Sequence, residues 1–176
     1  MKTSNYDKIT RYLHWSMAAI IIYATTAGYV MHLVVDSHPR IFQFLSILNM
    51  SLATIGSIVF IFRWFWKHLR PTYSFTDHSI PSWQKKIAHM VHDIIYQLMF
   101  IVFVSGFLML ETNYELFWLI TVPNPISSPE VNAFFFNVHR ASCLLLAIVV
   151  LLHASAAIKH HYLSKNLVLL RMLGRA

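Results

Sequence analysis

The stretch "VHRASCLLLAIVVLLH", Val138 to His153, places a histidine near each end of an almost purely apolar run. Continued to Ile158, the run reaches the ~20 residues that a helix needs to cross the roughly 30 Å hydrocarbon core of a bilayer. A strongly polar or ionisable side chain at that depth is costly unless it pairs or binds something. The stretch therefore predicts a membrane-spanning helix that carries two functional histidines.

The rest of the chain has the same character. Hydrophobic residues make up 57% of it and charged residues 12%, and the mean hydropathy is +0.54, which is far from a soluble domain. The spans are apolar on nearly every face, whereas a soluble bundle needs polar outer faces. We predict one all-α domain over residues 1–176, a four-transmembrane-helix bundle with antiparallel up-down topology. The predicted spans are residues 12–34, 41–64, 87–110 and 138–158.

The basic residues predict the orientation. The long third connection, residues 111–137, holds three glutamates and neither lysine nor arginine. Under the positive-inside rule both termini are therefore expected on the cytoplasmic side. The net charge of +7 is then explained by contact with anionic lipid headgroups, and no nucleic-acid partner is needed. Twelve of the fourteen basic residues flank the cytoplasmic helix ends: Lys2, Lys8, Arg11, Arg63, Lys67, Arg70, Lys85, Lys86, Lys159, Lys165, Arg171 and Arg175.

The histidines of the fourth helix share one face. His139 and His153 are fourteen residues apart, about 40° short of four full turns, so their rings lie about 21 Å apart along one helix face. His160 continues that face. His14 lies about one turn into the first helix, and an antiparallel fourth helix brings His153 to the same depth. We expect His14 and His153 to face each other.

Two neutral imidazoles on facing helices are the axial ligand set of a haem iron in a helical bundle. Zinc usually takes three or four ligands, and no further histidine, cysteine or carboxylate is evident at that depth. The alternative is a pair of buried histidines that hydrogen-bond to helix carbonyls. The single cysteine, Cys143, allows neither an internal disulfide nor the paired-cysteine attachment of a c-type haem.

Several motifs give the chain a family resemblance. They are "LHW" opening the first helix, "IAHMVHDIIYQLMF" opening the third, and "VHRAS" followed by "LLHASAAIKHHYLSKNLVLLRML" in the fourth. The chain resembles the bacterial cytochrome b561 family, four-helix b-type cytochromes of the inner membrane. The resemblance implies a cytoplasmic-side haem b with His14 and His153 as axial iron ligands. It also implies a second haem near the periplasm, with His139 as one ligand.

The chain departs from the family pattern at the partner of His139. That partner is usually a histidine early in the second helix, in a pattern like His-x-Ser-x-Gly, whereas this chain has "NMSLA" with Asn49 in the ligand position. Counting back from Arg63 and Pro71, which resemble the family's residues at the end of this helix, gives the same register. An uncharged amide is a poor ligand for haem iron.

Three outcomes follow for the outer position. His139 holds a five-coordinate haem, Met50 supplies a thioether ligand, or the outer haem is absent. His32 and His38 are also expected on the external side. His32 lies eighteen residues from His14, about 27 Å along the helix, and is a replacement ligand if the helices tilt suitably.

The third helix opens with titratable residues that suit proton transfer. Reduction of a quinone needs protons as well as electrons, and histidines titrate near neutral pH. The quinone-side candidates are His92 and His160, in a group that also includes His89, Asp93 and His161. The alternative is that these histidines, with Trp83 and Tyr162, are interfacial anchors. The tail "SKNLVLLRMLGRA" reads as a short amphipathic segment on the cytoplasmic leaflet.

The resemblance implies electron exchange with the quinone pool, with ubiquinone as the redox partner. At least one kind of cytochrome in this family oxidises superoxide at the periplasmic face. We therefore expect a b-type cytochrome that carries single electrons between a donor, either superoxide or a redox protein, and quinone. One alternative is a non-catalytic haem-binding anchor that relays electrons from a partner dehydrogenase or hydrogenase. Another is a haem-free polytopic scaffold or small transporter.

Overall fold

A computed structural model describes residues 5–69 and 81–175 of the chain. The four long helices are each long and apolar enough to cross a membrane, which confirms the predicted all-α, four-span fold. Lys2, Arg70 and Pro71, used in the sequence arguments, lie outside the described residues. The elements in chain order are α1 (Lys8–Val34), α2 (Pro39–Leu69), α3 (Ser82–Leu108), β1 (Tyr114–Leu116), β2 (Ile120–Val122), α4 (Pro129–Tyr162) and α5 (Val168–Leu173).

Most helix ends lie beyond the predicted spans, because hydropathy marks only the apolar part of a helix. The α1 helix begins four residues earlier than predicted, where the Asp7 carboxylate accepts a hydrogen bond from the Thr10 backbone N–H at 2.8 Å and so caps the first turn. The α4 helix begins nine residues early, at Pro129, since proline needs no N–H partner in a first turn. At its C-terminal end α3 stops at Leu108, two residues short of the prediction.

Hydrogen bonds near the helix ends show that neighbouring helices run in opposite directions. The Trp66 indole N–H, near the end of α2, donates to the Thr10 hydroxyl at the start of α1 at 3.0 Å. Lys67, also near the end of α2, pairs with Asp93 in the first half of α3 at 2.8 Å. The starts of α1 and α3 therefore lie beside the end of α2. We call this end of the bundle the termini end and the opposite end the hairpin end.

The C-terminal tail returns to the termini end. The Trp15 indole N–H on α1 donates to the backbone carbonyl of Met172 on α5 at 3.2 Å, and α5 also packs against α4. The predicted tail is therefore a short helix that contacts the bundle, while its contact with a lipid leaflet stays a prediction.

A small apolar cluster fills the middle of the bundle. It consists of Met17, Phe60, Met99 and Leu146, one buried residue from each long helix. The close approach of α1 and α3 to α2 nearby depends on Gly56, where an added Cβ would lie 3.0 Å from Ile20 and 3.2 Å from Phe103. Most helix contacts are between α1 and α2 and between α3 and α4. This mid-bundle cluster therefore joins the two helix pairs. It also lies between the interior of the termini end and the interior of the hairpin end.

The third connection contains a β-hairpin. Strands β1 and β2 pair antiparallel, and the connecting residues Phe117 and Trp118 have φ of 47° and 60°. The hairpin docks on α2, since the backbone N–H of Phe117 donates to the Ser51 hydroxyl at 2.8 Å. That hydroxyl donates in turn to the Ile47 carbonyl at 2.7 Å, and Ser51 is fully buried at 0% exposure.

One buried amide joins α3, the connection and α4. The Asn132 side-chain N–H₂ lies within 2.8 Å, 2.7 Å and 3.2 Å of the carbonyl oxygens of Leu108, Leu110 and Ile126. The side chain is 2% exposed. Carbonyls released at a helix end need partners, and inside a membrane protein the protein has to supply them.

We predict that Asn132→Ala lowers the stability of the bundle by about 2 kcal/mol or more, because buried carbonyls lose their donor. The matched control is Asn137→Ala on the same helix, since the exposed Asn137 amide donates only to a carbonyl of its own helix. The measurement is the apparent unfolding midpoint of detergent-purified protein, followed by circular dichroism. Equal midpoints for the two variants would contradict this role.

Candidate functional site

Three histidine rings from three helices meet near the termini end. The ring centroids of His14 on α1 and His153 on α4 are 6.4 Å apart, so the structure brings together the pair that the sequence predicted. His92 on α3 lies on the other side of His153, with ring centroids 5.1 Å apart. His14 and His153 are half-buried, and His92 is more exposed.

The position of His92 corrects one step of the sequence argument, which found no further histidine at the depth of His14 and His153. The helical phase of α3 was not fixed by its own sequence, and its packing against α4 turns His92 towards His153. Within residues 5–69 and 81–175, no three or more His, Cys, Asp or Glu side chains form a group able to hold a metal ion. The three rings are thus a histidine cluster without the ligand geometry of a zinc site.

An arginine adjoins this cluster. Arg63 on α2 donates from Nε to the Tyr96 hydroxyl on α3 at 3.0 Å, and its Nη2 lies 3.1 Å from Nδ1 of His14. The side chain thereby links three helices. Sequence analysis used Arg63 only to set a register and to predict the orientation. Its place in the apolar run "FIFRWFW" was the available signal, because an ionisable residue at membrane depth marks a functional site.

The geometry of the His14–His153 pair fits a haem iron. Metal-to-imidazole bonds are about 2 Å long, so two axial imidazoles on one iron have ring centroids about 6 Å apart. The 6.4 Å separation of His14 and His153 matches that distance, while the 5.1 Å separation of His92 and His153 is shorter. His14 lies on α1 and His153 on α4, and these two helices belong to different helix pairs. The residues present therefore fit the axial ligation of haem b between the pairs.

A shallow groove runs along one face of α3. Its volume is about 610 Å³, and its lining combines the polar Lys86, His89, Asp93 and Gln97 with the apolar Met90, Ile94 and Leu98. The Asp93 carboxylate is paired with Lys67 across the groove wall at 2.8 Å. An amphiphilic molecule with a polar head suits such a lining.

The predicted quinone-side residues of α4 lie further from the cluster centre. His160 is half-buried, and its Nδ1 lies 3.5 Å from the Ser164 hydroxyl. Its neighbour His161 packs edge-on against Tyr162, with ring centroids 4.8 Å apart. Of the two quinone-side candidates, the structure brings His92 rather than His160 into contact with His153.

At the hairpin end, His139 has neighbours on both ring nitrogens. Its Nδ1 lies 3.1 Å from the Val102 carbonyl and 3.2 Å from the Ser105 hydroxyl, and its Nε2 lies 3.4 Å from the Cys143 sulfur. The ring packs on bare backbone at Gly106, where an added Cβ would lie 3.1 Å from Cε1. An Nδ1–H donated to Val102 leaves Nε2 with a lone pair, which is the tautomer an iron ligand needs.

The other residues predicted near His139 have different surroundings in the described part of the chain. Asn49 lies ten residues after the start of α2, and its buried Oδ1 has no hydrogen-bond partner among the described residues. Met50 is half-buried and contributes its carbonyl to Thr54. His32 lines a separate cleft with Arg140, and His38 lies beside Ser37.

Comparison with known proteins identifies the family of the chain. The sequence profile of the family described as "Prokaryotic cytochrome b561" matches residues 5–175. The chain is 28% identical over 124 residues to cytochrome b561 homolog 1 of Escherichia coli (strain K12), which covers 66% of this chain and 70% of the relative. It is 23% identical over 178 residues to cytochrome b561 homolog 2 of the same strain, which covers 97% of this chain and 92% of the relative.

The family match spans nearly the whole chain and includes all four long helices. Family membership implies haem b, and the four apolar helices imply a multi-pass protein of a bacterial membrane. The chain therefore belongs to the prokaryotic cytochrome b561 family, whose members are membrane-bound b-type cytochromes that transfer electrons.

Proposed function

We propose that this chain holds one haem b between His14 and His153 and uses it to exchange single electrons with the quinone pool. The observation that carries the proposal is the facing pair of imidazoles on α1 and α4, whose 6.4 Å separation suits two axial ligands of one iron. When bound, the haem iron supplies one-electron redox chemistry. The protein would supply the two nitrogen ligands from facing helices.

His92 provides the proton-transfer chemistry of this proposal. Its ring contacts His153, and it lies next in sequence to Asp93 in the polar part of the α3 groove. Quinone reduction takes up protons, and a histidine near the redox centre can deliver them by general acid catalysis. The α3 groove combines polar and apolar side chains along its length, which suits an amphiphilic quinone.

We expect electrons to enter and leave the haem at the termini end, because apolar packing separates this end from the hairpin end. His139 and His153 are about 21 Å apart along α4, and the mid-bundle cluster lies between their depths. At the hairpin end, Asn49 stands where the family pattern has a histidine. We therefore favour a single haem. Superoxide oxidation at the outer surface is the alternative function, and it would require a second haem at His139.

We place the termini end on the cytoplasmic side of the bacterial inner membrane. The support is the concentration of basic residues at that end, which the positive-inside rule associates with the cytoplasm. Described basic residues there include Lys8 and Arg11 on α1, Lys85 and Lys86 on α3, and Lys159 on α4.

Replacement of His153 by glycine should remove one axial ligand and leave a cavity the size of an imidazole. We predict that His153→Gly loses the low-spin haem b spectrum and that added imidazole restores it, since the free ring can occupy the ligand position. The control is His161→Gly, two turns further along α4, which should keep the wild-type spectrum without imidazole. The measurement is the optical spectrum of reduced and oxidised protein, and an unchanged spectrum in His153→Gly would contradict axial ligation by this residue.

Loss of the His92 ring should slow quinone reduction without removal of the haem. We predict that His92→Ala keeps its haem but that a soluble ubiquinone analogue reoxidises the reduced haem at least about tenfold more slowly, because proton delivery is lost. The control is His68→Ala, an exposed histidine on α2 whose ring packs against Trp64. Stopped-flow absorbance at the haem band gives both rates, and equal rates in the two variants would exclude His92 from the quinone reaction.

A further inference from the structure

Arg63 is a half-buried cation whose buried Nη1 nitrogen is not used by its protein contacts. Its Nε donates to Tyr96 and its Nη2 contacts His14, but the buried Nη1 has no hydrogen-bond partner in the described ranges. A guanidinium carries five N–H donors, accepts no hydrogen bonds and stays protonated in proteins. Neither contacting side chain is anionic, so the positive charge of Arg63 is not neutralised by them.

The contact with His14 is incompatible with iron ligation. Because Arg63 can only donate, Nδ1 of His14 must accept, and the proton of the neutral ring then lies on Nε2. An imidazole that binds iron through Nε2 carries its proton on Nδ1 instead. Nδ1 cannot both carry that proton and accept a hydrogen bond from Arg63. When His14 serves as an axial ligand, Arg63 therefore has to release it.

The released guanidinium needs a new partner, since a buried charge without a counter-charge is strongly unfavourable. Asp93, the acidic side chain on α3 near this end, is already paired with Lys67 at 2.8 Å. Haem b brings two carboxylates of its own, on its propionate side chains. A carboxylate accepts two parallel hydrogen bonds from the fork of an arginine, which is among the strongest polar contacts in proteins.

We propose that Arg63 is the carboxylate-binding residue of the haem pocket and that it exchanges its contact with His14 for a propionate when haem is bound. This inference rests on the proposed function, because it requires haem at His14 and His153. Arg63 binds the cofactor periphery rather than the iron. The exchange frees Nδ1 of His14 to carry the proton that an axial ligand needs, so the two events favour each other.

The test compares two ligands that differ only in the propionates. Protein produced in haem-deficient cells and purified in detergent is titrated with haem b and with its dimethyl ester, in which both carboxylates are blocked. The ratio of the two dissociation constants is measured in the wild type and in variants. Comparison of ratios between proteins cancels the intrinsic difference between the two haems, as in a double-mutant cycle.

We expect the preference for the free acid to fall by about tenfold or more in Arg63→Gln, because a charge-assisted pair is lost. Arg63→Lys should keep an intermediate preference, since lysine retains the charge but not the planar fork. Lys67→Gln is the matched control. Lys67 lies one turn further along α2 and is already paired with Asp93, so its loss should leave the ratio unchanged.

Equal ratios in the wild type, Arg63→Gln and Arg63→Lys would overturn the inference. Should Arg63→Gln fail to fold, the comparison of Arg63→Lys with the wild type decides the question on its own. Failure of the proposed function has a different signature. In that case the wild type binds neither haem with a low-spin spectrum, or His153→Ala binds both as well as the wild type does.

Discussion

Polar side chains inside a lipid-embedded bundle depend on partners from the protein, since the hydrocarbon offers none. At the termini end this constraint is met by one chain of contacts, in which Arg63 links the Tyr96 hydroxyl to the His14 ring. This series of contacts joins α1, α2 and α3, and the contact of His14 with His153 extends it to α4. The packing of all four helices at this end therefore converges on the rings that we assign to the haem.

The two ends of the bundle satisfy their polar groups differently. At the hairpin end, the Asn132 amide contacts three carbonyls, Ser51 anchors the hairpin, and His139 lies between a carbonyl and a thiol. The buried Oδ1 of Asn49 has no hydrogen-bond partner among the described residues. At the termini end, the guanidinium of Arg63 keeps an unused donor next to the ring cluster. The unused atom at the termini end belongs to a cation beside the ring cluster, whereas the one at the hairpin end belongs to a neutral amide that stands in place of a histidine ligand.

Hydropathy and spacing predicted much of this arrangement. The apolar runs marked four helices, and the depth of His14 and His153 on antiparallel helices predicted the facing pair. Three features lay beyond that reasoning. His92 depends on the rotation of α3 against α4, which the apolar surface of α3 does not encode. The hairpin depends on the docking of Phe117 onto Ser51, a contact between residues far apart in sequence. The role of Arg63 depends on which atoms of His14 and Tyr96 it reaches.

The most direct test of a haem held between His14 and His153 is the amount of haem b per polypeptide, measured by pyridine haemochrome on purified protein. The wild type, His14→Ala, His139→Ala and His153→Ala are compared at equal protein concentration. The account predicts a ratio near one in the wild type and in His139→Ala, and loss of the haem in the other two variants. Haem retained in both His14→Ala and His153→Ala, or a wild-type ratio near two that falls to one in His139→Ala, would contradict it.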